Sequence, residues 1–590
     1  MKSVFKTITH TVDFCVVGGG LSGLCAAVAA ARHGARVALM QDRPMLGGNA
    51  SGEIRMWVCG AQGENLLETG ILEELMLENL YRNPDRNYSV WEGVLYEIAA
   101  YQPGLELILN CSCLDCEMDG DRIASVTGWQ TTTQTYHTVS ASVFADCSGD
   151  SVLAPLTGAE YRYGREGRGE FGEDIAPEKP DRKTMGMSCM IQARETEEPS
   201  GFIPPKWAYR YTKKDLPYRL PDMSGPCENF WYLELGGEHD AIADTETLRD
   251  ELLRIAYGMW DFVKNDPENR EKNRFWKLDW VGILPGKRES RRYVGDYIMT
   301  QADVRSGGHF EDLAAYGGWS MDDHDPGGFR SAGPPTVFHP APAPYGIAYR
   351  CLYSVNIRNL MFAGRNISVT HTAMSSTRVM GTCAVLGQAA GTAAAIAVRY
   401  GCSPREVYQS HLSELRDTLA EDDCYLPFYT RPVPALTKNA RLECASPQAE
   451  NLRNGLDRPI DGAENAATVA KGDAITYFFD APSTVSHVRI IFDSDLNREQ
   501  RLRHLGDCGK NMPHNRARGM LSVAVPASMV RAFRLEGVRA DGKTEILAEE
   551  NNNYQRLRAF EVNGVYAAVR LIPLETWGAE GCRIFSFDVR

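Results

Sequence analysis

The sequence lacks the features of a membrane-spanning, exported or metal-binding protein. Its most apolar runs, 24–31 and 384–398, are too short to span a bilayer. The N-terminal residues contain no apolar signal core, and the 16 cysteines are few for 590 residues, with several of them inside apolar runs. No fixed metal-ligand motif is present. We therefore predict a cytoplasmic protein with few disulfides, no membrane partner and no metal.

An excess of positive charge is also missing. Lys and Arg number 63 against 77 Asp and Glu, and the net charge of −14 argues against nucleic acid as a partner. The hydrophobic share of 43% and the charged share of 24% are ordinary for a globular protein. Since 590 residues exceed what one core supports, we expect several folding units, and the 54 glycines fit tight turns and phosphate loops.

The strongest local pattern lies near the N-terminus. An apolar run at 13–17 leads directly into a Gly-x-Gly-x-x-Gly turn, an alanine-rich helix and a second apolar run at 36–40. In this context Gly18 allows the tight turn, Gly20 lets the backbone approach a pyrophosphate, and Gly23 lets the helix pack on the strand. The pattern predicts a Rossmann-like α/β fold that binds a dinucleotide at the helix N-terminus.

The position that binds the ribose departs from the usual pattern. An acid ordinarily closes the second strand, but Gln41 stands there and Asp42 follows it. Either side chain can accept a hydroxyl proton, so both are candidates, together with the neighbouring Arg43.

Further glycine turns continue along the chain. They lie at 47–52, at 146–150 after a buried strand, and at 364–366 after another strand, and a helix of small residues follows from 384. Separated turns of this kind suit an extended cofactor held by several parts of one sheet. The candidate cofactor-binding residues in these turns and at the helix start are Gly48, Asn49, Ala50, Ser51, Asp146, Gly149, Asp150, Gly364, Arg365, Met380 and Gly381.

Six stretches between residues 12 and 400 together carry a specific resemblance. They are GGGLSGLCAA, DRPMLGGNASGEIRMWVCG, ADCSGD, ESRRYVGDYIMT, AYGGWSMDDHDPGG and NLMFAGRNISVTHTAMSSTRVMGTCAVLGQAAGTAAA. The chain resembles the FAD-dependent oxidoreductase superfamily of fumarate reductase and succinate dehydrogenase flavoproteins, and within it a bacterial group that includes proteins labelled xanthan lyases. The resemblance implies FAD. Relatives can carry a histidine bonded to the flavin in the 47–52 loop, where this sequence has Asn49 and Ala50, so we predict noncovalent FAD.

The resemblance also implies a domain arrangement. We predict a Rossmann-like FAD-binding domain at 1–160 and 346–425, with an inserted α+β substrate domain at 161–345 that forms the roof of the substrate site. From residue 440 onward the sequence shows short strands separated by turns, which predicts an all-β jelly-roll sandwich at 440–590. The predicted strands are 474–480, 487–493, 532–538, 544–548, 567–572 and 583–589.

The C-terminal stretches NLRNG, AITYFFD, VRIIFDSDLNR and ENNNYQRL resemble discoidin-like modules. Such modules often bind glycans, which implies roles for Tyr554, Arg556 and Trp577. The alternative is a domain that only packs against the flavin domain or forms a dimer contact.

Four residues are candidates for catalysis. By resemblance, His371 lies in the stretch beside the flavin ring, where a general base would take a proton as hydride leaves the substrate; the alternative is a structural histidine. Arg378 could hold substrate or flavin phosphate. Arg291 could clamp a carboxylate or hydroxyls, or pair with a nearby acid. His324, in an Asp-Asp-His run, could bind substrate or stabilise its own loop.

Three cysteines lie close together at Cys111, Cys113 and Cys116, but no fourth zinc ligand is near them in sequence. We therefore predict a strand in which Cys111 and Cys113 share one face.

These observations predict an FAD-dependent oxidoreductase that transfers hydride between a substrate carbon and flavin N5, oxidising a secondary alcohol of a carbohydrate or polyol. Three alternatives stay open: reduction of an activated C=C bond as in fumarate reductase, a redox-neutral sugar lyase or hydrolase with transient oxidation, and a glycan-binding protein with an inactive flavin domain. A small-molecule or glycan substrate is expected, a homo-oligomer is compatible with the sequence, and the electron acceptor is not indicated by it.

Overall fold

In the computed structural model, residues 4–496 and 512–590 are described, and they form two compact units. Both units are discontinuous in sequence. The first lies within Met1–Gln62, Arg86–Arg416 and Leu505–Leu521, and the second within Gly63–Asp85, Asp417–His504 and Ser522–Arg590. The predicted boundaries at 160, 345, 425 and 440 stay predictions. The last two residues of VRIIFDSDLNR lie outside the described residues.

The helices follow the predicted pattern in the nucleotide region. Further along the chain, two helices at 404–410 and 412–421 are separated by His411. The α-helices of the described residues are α1 (Leu21–Arg32), α2 (Ile71–Arg82), α3 (Tyr88–Ala100), α4 (Leu153–Thr157), α5 (Arg168–Phe171), α6 (Thr245–Asn265), α7 (Gln301–Arg305), α8 (His371–Thr377), α9 (Met380–Tyr400), α10 (Pro404–Ser410), α11 (Leu412–Glu421) and α12 (Ala435–Asn439).

The strands divide between the two units without overlap. Those of the first unit are β1 (Lys6–Thr11), β2 (Phe14–Val17), β3 (Val37–Met40), β4 (Leu105–Ile108), β5 (Cys111–Asp119), β6 (Arg122–Gln130), β7 (Thr135–Ser140), β8 (Val143–Asp146), β9 (Tyr161–Arg162), β10 (Met187–Ser188), β11 (Ile191–Glu195), β12 (Glu234–Leu235), β13 (Trp276–Val281), β14 (Gly286–Lys287), β15 (Arg292–Tyr293), β16 (Leu313–Gly317), β17 (Met321–His324), β18 (Thr336–His339), β19 (Tyr345–Ala348) and β20 (Leu360–Phe362). Those of the second unit are β21 (Arg441–Glu443), β22 (Ala467–Ala470), β23 (Ile475–Phe492), β24 (Val530–Val538), β25 (Thr544–Glu550), β26 (Leu557–Thr576) and β27 (Gly581–Val589).

A parallel sheet carries the glycine turns. Its strand order is β20-β8-β2-β3-β4, and β2, β3 and β8 are buried along their whole length, as in a parallel sheet covered on both faces. Helix α1 connects β2 to its parallel neighbour β3, so the predicted strand–turn–helix–strand unit is confirmed. The carboxyl ends of β2, β8 and β20 meet at one edge, which brings together turns that are far apart in sequence. The cysteines lie in a strand, β5, as predicted, but the stretch 105–116, which the sequence predicts as one strand, is divided into β4 and β5, and these belong to different sheets.

Helices α1 and α9 pack backbone against backbone over this sheet. A Cβ atom on Gly387 would lie 2.0 Å from the carbonyl oxygen of Ser22, and one on Gly391 would lie 2.1 Å from that of Ala26. Helix α9 is long and apolar enough to cross a membrane, but 94% of its apolar window is buried inside the protein. These properties are those of a core helix, so they are weak evidence for a membrane span.

Between β8 and β20 the chain forms several small sheets around helix α6. Leu252, Met259 and Trp260 of α6 are fully buried in the core of this region. Residues 512–521 also belong to the first unit. The Arg516 amide donates to the Ala193 carbonyl (2.9 Å), and the Glu195 amide donates to the Arg516 carbonyl (2.7 Å), so this late segment lies parallel to β11.

The second unit is an all-β sandwich, as predicted. Its strand order is β22-β27-β23-β26-β24-β25, with β21 paired to β23. The predicted strands 474–480 and 487–493 are one long strand, β23, and β26 is similarly long. Register shifts interrupt the β23–β26 pairing at Phe478/Ser483 and Val485/His487, where such irregularities let long strands bend.

The three residues suggested for glycan binding each contact other residues of the second unit. Tyr554 stacks on Tyr81 at 4.0 Å, and the Trp577 indole N–H donates to the Asn553 carbonyl at 2.7 Å. Arg556 is buried and its Nε donates to Asp423 at 2.6 Å. These side chains therefore stabilise the unit, and their suggested role as an exposed glycan-binding set is not supported by their placement.

Candidate cofactor and substrate site

A cavity of about 710 Å³ lies in the first unit. Its wall is formed by the glycine turns after β2, β3, β8 and β20 and by aromatic and charged side chains, several of them from the inserted region. The volume is within the range of cofactor and ligand sites. Of the predicted site residues, those on the wall are Gly18, Gly20, Gln41, Asp42, Arg43, Gly48, Asn49, Gly149, Asp150, Arg291, His324, Gly364, Arg365, Arg378 and Met380.

The first two glycine turns face each other and leave bare backbone. Gly18 has φ of 101°, and a Cβ atom there would lie 2.5 Å from the Ser148 amide nitrogen. Gly20 and Gly47 form a parallel bridge, and a Cβ atom on Gly48 would lie 3.1 Å from the Gly20 Cα. Side chains would fill this space, so the residues present fit a dinucleotide whose phosphates approach the amides at the start of α1.

The two candidates for ribose binding have different surroundings. Gln41 is buried; its Oε1 accepts from the Gly19 amide (2.7 Å) and its Nε2 donates to the Met45 carbonyl (2.9 Å). Gln41 therefore braces the glycine turn. Asp42 is exposed at the cavity wall and is the carboxylate available to ribose hydroxyls. Arg43 contacts Glu53 at 3.4 Å.

Several predicted cofactor residues lie behind the wall rather than on it. Asp146 is fully buried and accepts from the Ser148 amide (2.9 Å), the Leu153 amide (2.8 Å) and the Tyr293 hydroxyl (2.7 Å), so it fixes the turn after β8. The Gly381 amide donates to the Cys59 carbonyl at 2.7 Å. The remaining predicted residues that do not line the cavity are Gly23, Ala50 and Ser51.

His324 lies on the cavity wall between two carboxylates. Its Nδ1 is 2.6 Å from Glu234 Oε2, and its Nε2 is 3.3 Å from Asp322 Oδ2. Although burial raises the pKa of Glu234, the Arg288 and His324 charges lower it below its ordinary value. An ionised carboxylate only accepts hydrogen bonds, so Nδ1 carries the proton that is shared with Glu234. Arg378 contacts the other carboxylate, Asp322, at 3.2 Å.

His371, the leading sequence candidate for the general base, is buried and is not among the residues on the wall. Its Nδ1 is 2.9 Å from Glu289 and its Nε2 is 3.3 Å from Asp323. Burial lowers the pKa of His371, but Glu289 and Asp323 outweigh this and raise it to about 9. A histidine that is protonated at neutral pH and lies off the cavity wall is poorly suited to accept a proton from a substrate. Its assignment as base stays a prediction that this geometry does not support.

Strand β17 explains why neighbouring acids serve different histidines. Side chains alternate along a strand, so Asp322 and His324 share one face and Asp323 points to the other, toward His371. Two arginines of the segment 288–292 also have different acidic partners. Arg288 contacts Glu234 (3.4 Å), whereas Arg292 is buried against Glu166 (3.0 Å).

One family model, described as FAD dependent oxidoreductase, matches residues 13–419. The chain belongs to the FAD dependent oxidoreductase family. The protein is therefore an FAD-dependent oxidoreductase and FAD is its cofactor, which the residues of the glycine turns fit. When bound, FAD supplies the redox centre.

Solved structures provide two kinds of similarity. The chain is similar to a geranylgeranyl bacteriochlorophyll reductase-like protein from Thermoplasma acidophilum, with 12% identity, 70% of this chain and 84% of that chain covered, and a TM-score of 0.33. It is also similar to the family 32 carbohydrate-binding module of Streptococcus pneumoniae EndoD, with 11% identity, 26% and 97% coverage, and a TM-score of 0.19. No match was found among curated proteins.

Sequence reasoning missed several residues that form or support this site. Glu234, the partner of His324, comes from β12, 90 residues before it, and nothing local marks it. Three indoles, Trp57, Trp231 and Trp319, also line the cavity, and an aromatic-rich inserted segment was the available signal. Among residues 4–496 and 512–590, no group of three or more His, Cys, Asp or Glu is arranged to hold a metal ion.

Proposed function

We propose that this FAD-dependent oxidoreductase oxidises a secondary alcohol of a carbohydrate or polyol, using noncovalently bound FAD. The observation that carries the proposal is the set of side chains that line the cavity besides the glycine turns. Three indoles and Phe338 line it together with Asp322, His324 and Arg378. Flat aromatic faces stack on the apolar faces of sugar rings, while carboxylate and guanidinium groups bind hydroxyls.

We assign the proton acceptor to His324 rather than His371, because His324 lies on the cavity wall. Glu234 holds Nδ1 at 2.6 Å, so Nε2 of the neutral imidazole is the nitrogen that would accept a proton, once its contact with Asp322 is exchanged for a substrate hydroxyl. The separation from Nε2 to Asp322 is longer, at 3.3 Å, and a substrate hydroxyl can take this place. The Trp231 ring meets the imidazole edge at 5.3 Å and fixes its orientation. In this arrangement the hydroxyl proton would go to His324 Nε2, and the hydride would leave the carbon that carries this hydroxyl and pass to bound FAD.

An anaerobic flavin-bleaching screen tests the reaction class. The purified protein is mixed without oxygen with a panel of sugars, glycosides and polyols, and flavin absorbance is recorded. Bleaching by a panel member is the expected result. Reoxidation of chemically reduced protein by unsaturated acids, without bleaching by any sugar, would instead support C=C reduction. Sugar conversion with no net bleaching would support a redox-neutral lyase, and a protein without flavin would support the glycan-binding alternative.

Paired histidine variants test the assignment of the base. With a bleaching substrate in hand, His324→Gln is expected to slow flavin reduction by about 10²- to 10⁴-fold, the usual range for loss of general base catalysis. Glu234→Gln should slow it less and shift the pH profile, since Glu234 acts through His324. His371→Gln, compared at equal FAD content, should change the rate less than tenfold. A larger loss in His371→Gln than in His324→Gln would reverse the assignment.

A further inference from the structure

Three cationic side chains lie around Asp150 on the cavity wall. Lys287 Nζ and Arg365 Nη2 each lie 2.8 Å from an oxygen of Asp150, and the Ser290 hydroxyl donates to the same carboxylate at 2.8 Å. Arg291 Nη1 donates to the Asp150 carbonyl at 3.3 Å. We call Lys287, Arg291 and Arg365 the cation triad.

The triad borders the glycine turns. A Cβ atom on Gly149, in the turn after β8, would lie 2.5 Å from Arg365 Nη1. On the other side, the Asn49 side-chain amide, which follows Gly48, donates to the Lys287 carbonyl at 3.0 Å. The backbone that leads to Asp150 passes Gly18, whose added Cβ would meet Ser148 at 2.5 Å. Arg365 therefore adjoins the turn at Gly149, and Lys287 adjoins the turn at 47–52.

The charge of the triad exceeds that of its carboxylate. Although burial raises the pKa of Asp150, Arg365 and Lys287 lower it below its ordinary value, so the carboxylate is ionised. Lys287 and Arg365 against the one Asp150 carboxylate leave a surplus of one positive charge, beside Arg291, which also interacts with Asp240. In addition, the buried Nε of Arg365 has no hydrogen-bond partner within the part of the chain that the structure describes. The surplus needs an anion, and the pyrophosphate of a dinucleotide carries two negative charges.

We infer that Lys287, Arg291 and Arg365 bind the pyrophosphate of FAD from the side opposite the helix α1 amides. Asp150 acts through these cations: it holds them in place and offsets their mutual repulsion before the cofactor arrives. This inference depends on the FAD dependence of the family and is independent of the proposed substrate. It gives Arg291, a sequence candidate for substrate binding, a role toward the cofactor.

Cofactor binding by the full-length apoprotein provides the test, with no activity measurement. FAD, ADP and riboflavin are titrated separately into the wild type, Lys287→Met and Arg365→Met, and dissociation constants are measured by fluorescence and calorimetry. We expect the constants for FAD and ADP to rise about 10- to 100-fold, as for loss of a charge-assisted hydrogen bond, while that for riboflavin stays within twofold. The salt dependence of FAD binding should also weaken.

Control variants separate charge from folding. Arg194→Met removes a half-exposed arginine that pairs with Asp279 at 3.3 Å, and it should bind FAD like the wild type. Lys287→Arg and Arg365→Lys keep the charge and should recover most of the affinity, which a purely structural role would not predict. Thermal melting of each apoprotein identifies any variant that is unfolded, and the charge-conserving pair then decides the question.

Two results would overturn the inference. One is an unchanged FAD constant in both methionine variants, including the case in which only the affinity for an anionic substrate falls. The other is weakened riboflavin binding with unchanged ADP binding, because the triad would then face the flavin ring. Failure of the sugar-bleaching screen would leave this result intact, so the two proposals fail separately.

Discussion

At the scale of single residues, His324 and His371 have nearly the same surroundings and different access. Each imidazole lies between two carboxylates, but only His324 is on the cavity wall. The sequence indicated both histidines as candidates, because each lies in a stretch shared with flavoproteins. It ranked His371 first and could not show which of the two is accessible, since their partners Glu234 and Glu289 are 90 and 82 residues away and become neighbours only through the fold.

The raised pKa of His371 predicts a pH-dependent contribution to stability. The folded-state pKa is about 9 against an ordinary 6.5, so the contribution is complete below pH 6.5 and is lost as pH rises through 9. Its full size is on the order of 3 kcal/mol, because one pKa unit corresponds to about 1.4 kcal/mol. The unfolding free energy of wild type minus that of His371→Gln should therefore be largest near pH 6 and shrink toward pH 10, as measured by urea titration.

His239→Gln is the control for this measurement, since the His239 side chain is half-exposed. Its difference from wild type should be small across the same range. A His371→Gln difference that does not vary between pH 6 and 10 would show that the imidazole is not held as a cation.

At the scale of secondary-structure elements, most of the fold could be predicted and most errors were of strand length. The nucleotide-binding unit was predicted because glycine spacing and apolar runs are local signals with known geometry. Strand β23 was divided in the prediction because 481–486 contains Pro482, a residue typical of a turn. A bent strand passes through such residues by register shifts, and these depend on the partner strand β26. The close contact between α1 and α9 could not be predicted for the same reason, because it depends on the residues of both helices.

Gly391 is expected to be intolerant of even a methyl group. Gly391→Ala would place a Cβ 2.1 Å from the Ala26 carbonyl oxygen, so α9 and α1 must separate. We expect a loss of about 1–3 kcal/mol, the cost of overpacking a core, together with reduced FAD content because α1 begins at the glycine turn. Thermal melting and the ratio of flavin to protein absorbance measure both effects.

A matched helical glycine provides the control. Gly93 lies inside α3, and a Cβ atom there would meet nothing within 4 Å. Gly93→Ala should therefore raise stability by about 0.5–1 kcal/mol, since alanine loses less backbone freedom in a helix. Equal effects of the two substitutions would contradict the packing described for α1 and α9.

At the scale of the whole molecule, the family match and the compact units do not coincide. The match ends at residue 419, yet residues 512–521 belong to the first unit and lie along β11. His514 of this segment is fully buried and packs its ring against Trp57 of the cavity at 5.3 Å. Residues 63–85, in turn, belong to the second unit. No change of composition marks the segments 63–85 and 512–521, which is why the sequence did not indicate that each belongs to a different unit from its neighbours.

A chain that ends after residue 440 is therefore expected to fail as a flavoprotein. It would lack the Asn515 side chain, which accepts from the Ala193 amide at 2.9 Å, and the ring that supports Trp57. Low soluble yield and little bound flavin are the expected results, measured against the full-length protein expressed in parallel. A stable, yellow 1–440 protein would contradict this.

Because both units are discontinuous in sequence, the order of synthesis limits when each can fold, and gene rearrangements that separate them are expected to be harmful. On the ribosome the first unit cannot be completed until residue 521 has emerged, long after its parallel sheet, and the second begins with residues made before most of the first. Neither unit can then fold to completion before residue 521 has been made. A gene rearrangement that separated them would leave each without an internal piece, so we expect the two units to remain together in one reading frame.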